Sequence, residues 1–151
     1  DKIKQIIPGC TLTTDIIVGF PGETEKDFHE TLEVVNKVKF HSSFMFKYSK
    51  RHGTKAAEYT DHVPEDEKQR RLEMLINLQK QLTLDKNLEM LGKNVEVIIE
   101  KESKKSINQW AGRTDGNIWV ITDKKNKKIK DIVNVTINEA KGVTLFGDII
   151  N

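Results

Sequence analysis

Two halves with different hydrophobic periods divide the chain. Thr14-Asp15-Ile16-Ile17-Val18-Gly19-Phe20 is a short apolar run, the pattern of a strand buried on both faces in a parallel sheet. Pro21-Gly22 stops it. Thr24 can cap a helix, with Asp27 three positions on as an approximate capping box. Phe28, Leu32, Val35 and Val38 follow at helical spacing, so a helix is expected from Glu25 to Lys39. Ser43-Phe44-Met45-Phe46-Lys47-Tyr48 reads as the next strand. Strand, helix and strand make a βαβ unit, which implies a parallel sheet with a right-handed crossover. A polar connection from Arg51 to Pro64 precedes a long helix. Glu65, Asp66 and Glu67 in its first turn suit the helix dipole, and Leu72, Leu75, Ile76, Gln79 and Leu82 share one face. It is expected to end near Leu91-Gly92, where glycine can take the left-handed cap.

Beyond Gly92 the period switches to two. Val95–Ile99, Trp110–Thr114, Ile118–Ile121, Ile132–Ile137 and Val143–Ile150 read as five strands, with Asp115-Gly116 as a hairpin-turn pair. Five short strands in so short a span predict a small closed barrel of the OB-like kind. The expected fold class is therefore α/β followed by all-β, with domains at 1–91 and 92–151.

Composition narrows the function classes. Of 151 residues, 36% are hydrophobic and 32% charged, the balance of a globular protein rather than a disordered one. No apolar run approaches the roughly 20 residues that span a bilayer, so no membrane partner is expected. Cys10 is the only cysteine, which excludes an internal disulfide and any site built from several thiolates; a cytoplasmic location is the default. The four histidines lack metal-ligand spacing, so no metal site is expected. The chain opens within an amphipathic segment and without an initiator methionine, and so reads as part of a longer polypeptide.

The net charge of +2 matters less than its clustering. Lys104-Lys105 and Lys124-Lys125 with Lys127-Lys128 fall in loop-like stretches, where lysines suit phosphate contacts or simply stay solvated. Arg113 and Asn117 flank the tight turn, between Trp110 and Trp119. Arginine forks onto phosphate and exposed aromatics stack on bases. Trp119, inside an apolar run, reads as core; Trp110, at a loop edge, reads either way. Asp15 within an apolar strand either pairs with a cation or lies exposed, and Arg51 is either its partner or a contact to RNA phosphate.

Three stretches, in order and spacing, resemble one family. Thr13–Thr24, containing Gly19-Phe20-Pro21-Gly22-Glu23-Thr24, resembles the strand-and-loop signature of radical-SAM methylthiotransferases. Phe46–Ala56 is similar to that family's next strand, usually written FxYSxRxGTxA. Gly112–Asn117, Asn138-Glu139-Ala140 and Leu145-Phe146-Gly147 resemble the TRAM domain appended to these enzymes. The Lys47-Tyr48-Ser49 stretch with Arg51 makes the chain look closest to the MiaB-like branch, which methylthiolates isopentenyl-adenosine beside the tRNA anticodon. The threonylcarbamoyl-adenosine branch has a similar signature, and the branch that modifies a ribosomal protein commonly carries acidic residues where Arg51-His52 stand.

The resemblance implies that residues 1–91 are the last part of a radical-SAM (β/α) barrel and 92–151 a TRAM barrel that holds the tRNA anticodon stem-loop. It implies that Gly19, Phe20, Pro21, Gly22, Glu23, Tyr48 and Ser49 face S-adenosylmethionine, and that Arg51, Lys104, Lys105, Arg113, Asn117, Lys124 and Lys125 contact RNA. Complete members of the family use S-adenosylmethionine with two 4Fe-4S clusters. One cysteine cannot ligate such clusters, so this piece is expected to be inactive without the N-terminal remainder of the polypeptide. The rival reading is a stand-alone nucleic-acid-binding module with a helical adaptor. An ordinary methyltransferase is disfavoured by the lack of a GxGxxG-like loop after the first strand.

Overall fold

The structure, a computed structural model, describes residues 2–150, and its contacts divide the chain into two compact units. One unit is Leu12–Leu82; the other runs from Thr83 onward and includes the segment up to Thr11 with the short helix α1 (Lys2–Ile6).

In the first unit β1 (Thr13–Val18) and β2 (Ser42–Lys47) pair in parallel, with α2 (Glu25–Val38) between them in sequence. The capping box forms: the Asp27 N–H donates to Thr24 Oγ1 at 3.2 Å, and the Thr24 N–H donates to Asp27 Oδ2 at 2.9 Å. Lys39 takes the left-handed conformation (φ 53°) and closes the helix. β1 ends at Val18 rather than Phe20, because Gly19 turns the chain with φ 70°. α3 (Glu65–Leu88) stops three residues before the expected end, in a turn leading to Gly92 at φ 75°. Val18, Phe28, Val35, Leu75 and Leu82 form the core of this unit. The other face of the strand pair carries Asp15, Ile17, Phe44 and Phe46, all exposed. Asp15 is exposed and makes no ion pair among the described residues.

The second unit is a closed barrel of β3 (Asn94–Ser103), β4 (Ser106–Arg113), β5 (Trp119–Asp123), β6 (Ile132–Lys141) and β7 (Thr144–Ile150), ordered β3-β4-β5-β7-β6. β5 and β7 are parallel, and the other neighbours antiparallel. Val97, Ile99, Trp110, Val120, Val135, Ile137 and Leu145 fill the interior. Closing so few strands demands close backbone approach at two glycines. A Cβ on Gly112 would lie 2.7 Å from Val97 Cγ1, and one on Gly147 2.7 Å from Val135 Cγ1, each also pressed into the neighbouring strand's backbone.

Two details depart from the sequence pattern. The Asp115-Gly116 pair belongs to a three-residue loop: the Asn117 N–H donates to the Thr114 carbonyl, the Thr114 N–H to the Ile118 carbonyl, and Asn117 carries the left-handed conformation (φ 63°). Trp119 is not core. It pairs with Arg113 and is half-buried on the outer surface, while its neighbour Val120 fills the interior. Trp110 is the tryptophan inside, 8% exposed.

Candidate nucleic-acid interface

The outer face of the barrel carries a groove of about 340 Å³ across β3, β4, β5 and β7. Trp119, Ile121, Phe146 and the small Ala111 form its apolar floor, and Lys101, Lys104 and Lys105 stand around it. Strand alternation alone would send Lys101 inward after Val97 and Ile99. A β-bulge between Ile99 and Lys101 resets the phase, so Ile99 pairs with Gly112 on the inside and Lys101 with Ala111 on the outside. A second bulge, between Ile137 and Glu139, turns Glu139 outward opposite Phe146 in the same way.

The cations here fall into two groups. Arg113 is committed: its Nη1 donates to Asn117 Oδ1 at 2.6 Å, its Nη2 to Glu100 Oε2 at 3.1 Å, and its Nε lies 2.9 Å from Glu100 Oε1. Its guanidinium carbon lies 4.6 Å from the Trp119 ring centre. Lys124 pairs with Glu102 and covers Trp110, its ammonium 4.3 Å from the ring centre. Lys125 donates to the Ile149 carbonyl at 2.6 Å. Lys141 pairs with Glu139 at 2.6 Å. By contrast Lys101, Lys104 and Lys105 have no carboxylate partner among the described residues. Lys101 Nζ sits 4.4 Å from the Trp119 ring centre, and Lys104 and Lys105 occupy the exposed β3–β4 turn. These three lysines give the groove a positive rim, and Lys127, Lys128 and Lys130 in the β5–β6 loop are likewise exposed without a carboxylate partner among the described residues.

The structure thus brings Lys104 and Lys105 to one groove and Arg113 with Asn117 to the turn beside Trp119. It places Lys124 and Lys125 in the β5–β6 loop with their ammonium groups engaged. Lys101, Trp119 and Phe146 join the groove although the sequence pattern did not single them out as a site. Arg51 belongs to the other unit, exposed in the loop after β2, where its carbonyl accepts from Thr54 Oγ1 at 2.8 Å.

The residues expected at a cofactor lie in that other unit, at the carboxyl ends of β1 and β2. Gly19, Pro21 and Tyr48 are buried, while Phe20, Gly22 and Ser49 are exposed. The Gly19 N–H donates to both carboxylate oxygens of Glu23, at 2.9 and 3.0 Å. Glu23 in turn accepts from Arg71 Nη1 at 2.7 Å, so its carboxylate braces the loop from within. Arg71 also reaches Glu67, whose carboxyl is held down to about 2 by hydrogen bonds from Arg70 and Arg71. The Phe20 ring packs edge-on against Tyr48 at 5.2 Å and Tyr59 at 6.3 Å. The Tyr48 hydroxyl is buried and has no hydrogen-bond partner among the described residues. That orphaned donor beside an exposed aromatic ring fits a small ligand with a polar group. For an iron–sulfur cluster the donor set does not fit: there is one cysteine, and no group of three His, Cys, Asp or Glu able to hold a metal among the described residues.

The second unit is thus a mixed five-stranded closed barrel with a basic outer groove, and residues 88–150 match the TRAM domain. The kinship extends over the whole chain. It is 47% identical to the tRNA-2-methylthio-N(6)-dimethylallyladenosine synthase of Parabacteroides distasonis, over 97% of this chain and 32% of that protein. It is 46% identical to the Desulfitobacterium hafniense protein of the same name (97% and 33%) and 43% identical to that of Syntrophomonas wolfei (100% and 34%). By sequence the chain is similar along its whole length to these methylthiotransferases, and it spans about a third of the length of the curated relatives it matches. No helix among the described residues is long and apolar enough to cross a membrane.

Proposed function

We propose that the chain is part of an enzyme that methylthiolates isopentenyl-adenosine next to the anticodon of tRNA. In this reading residues 92–151 grip the anticodon stem-loop in the cytoplasm, and residues 1–91 end a radical-SAM barrel and form one wall of its cofactor pocket. The observation that carries it is identity of 43–47% along the whole chain to three synthases of that name, together with a barrel groove around which Lys101, Lys104 and Lys105 stand without a carboxylate partner among the described residues. A parallel strand pair with Ile17, Phe44 and Phe46 exposed supports the barrel part, because parallel strands are ordinarily covered on both faces. The covering elements would come from the N-terminal remainder of the same polypeptide.

S-adenosylmethionine, when bound, supplies the methyl group and the radical source. Phe20, Ser49 and the Tyr48 hydroxyl would contact it, while Gly19, Pro21, Gly22 and Glu23 fix the loop that presents them. The clusters must be ligated elsewhere, and this chain alone is inactive in this account. The test is competition for labelled tRNA bound to the chain. An isolated anticodon stem-loop should displace the tRNA, and an acceptor-stem hairpin of equal length should do so far less well. Equal competition by the two would sink the anticodon assignment.

A further inference from the structure

We propose that the barrel groove is a stacking site for one unpaired RNA base, with Trp119 as the platform. The inference rests on the reading that RNA is the barrel's ligand, and it adds which form of RNA and which residues.

The platform is built to stay in place. Trp119 is half-buried on an outer strand, and Arg113 lies against its ring while held by both Glu100 and Asn117. An arginine so engaged is poorly placed to fork onto phosphate; here it stiffens the indole. Lys101 lines the groove and Arg113 does not. The ammonium over the ring on the groove side is thus a flexible lysine without a carboxylate partner, and a base can displace it. Displaced, Lys101 joins Lys104 and Lys105 as a counter-charge for the flanking phosphates.

The groove's dimensions agree. Ala111 is 4% exposed between its larger neighbours, and its small side chain leaves the floor open. A volume of about 340 Å³ lies in the range of small-ligand sites. Gln109 and Thr144 supply polar atoms at the groove, and the Gln109 amide is held only by a 3.4 Å bond to Asp123, leaving it free to meet a base edge. A duplex keeps its bases stacked and cannot offer one to such a floor, whereas a loop can.

The test uses the 151-residue chain with three probes: a short oligoadenylate, an abasic ribose-phosphate strand of the same length, and an RNA duplex. Trp119→Leu should weaken oligoadenylate binding roughly 5- to 150-fold, the range for loss of one base–aromatic stack, and leave the abasic strand unaffected. Trp119→Phe should retain most of the affinity, and matching melting curves would show that both variants fold. Ala111→Met, which fills the floor and removes no charge, should imitate Trp119→Leu. Lys104→Gln with Lys105→Gln should weaken both single strands alike. If Trp119→Leu weakens both strands equally or neither, or if the wild type prefers duplex, the base site is overturned while RNA binding stands. If the wild type binds no RNA at low salt, the underlying reading falls as well.

Discussion

Gly147→Ala tests the barrel that carries the site. A Cβ at Gly147 would lie 2.7 Å from Val135 Cγ1 and 2.9 Å from the Thr136 carbonyl carbon, with the carbonyl oxygen closer still. Ordinary contact begins at 3.4 Å, so β6 and β7 would have to part by about 1 Å where Ile137 pairs with Gly147. Overpacking of this kind costs about 1–3 kcal/mol, and weakening a ladder hydrogen bond adds about 1 kcal/mol, so about 3 kcal/mol is expected. At roughly 4–8 °C per kcal/mol for a domain of this size, the midpoint should fall by about 12–24 °C. Gly142→Ala is the control. Gly142 has φ 57° and nothing within 4 Å of where its Cβ would stand, so only the left-handed backbone costs, about 1 kcal/mol. Both tryptophans lie in the barrel, so their fluorescence follows its thermal unfolding without interference from the other unit. If Gly147→Ala melts no earlier than Gly142→Ala, the close approach of β6 and β7 is not what closes this barrel.

Further substitutions separate core from surface and probe the loop brace. Trp110→Ala should destabilise the barrel by about 3 kcal/mol or more, and Trp119→Ala by only about 1 kcal/mol, as read from the remaining tryptophan in urea; the reverse order would return Trp119 to the core. Arg71→Met leaves Glu23 with little beyond the Gly19 N–H, and should cost the first unit about 2–3 kcal/mol, measured by helical ellipticity in denaturant. A loss below about 0.5 kcal/mol would show that Arg71 does not brace the loop. The Glu67 carboxyl is lowered in the fold from 4.5 to about 2, so its contribution is full above about 4.5 and fades as pH falls toward 2. Glu67→Gln should flatten the acid loss of helical signal across that window, and an unchanged acid profile would refute this.

Much of the fold was legible because each element carried its own local signal. Thr24 with Asp27 marked a helix start that forms as a capping box, and the apolar runs on either side became the parallel strands. In the barrel the five runs became five strands. The facing of Trp119 was hidden because Ile118-Trp119-Val120-Ile121 is apolar throughout, so alternation cannot say which side is inside. The interior takes Val120 and the polar Thr122 instead. Lys101 was hidden for a related reason, since only the bulge before it, set by pairing with β4, turns it outward. Nor could the sequence show that Lys124 and Lys125 fold back onto Glu102 and the Ile149 carbonyl, because both partners are distant in sequence.

The salt dependence of tRNA binding by the chain tests the central claim most directly. Each phosphate neutralised on a single strand contributes about −0.7 to the slope of log K against log salt. Engagement of Lys101, Lys104 and Lys105 predicts a slope of roughly −2 or steeper, and replacing all three with glutamine should make it shallower by about 2. A slope near zero, or one that the triple replacement leaves unchanged, would contradict a groove that holds RNA through these lysines.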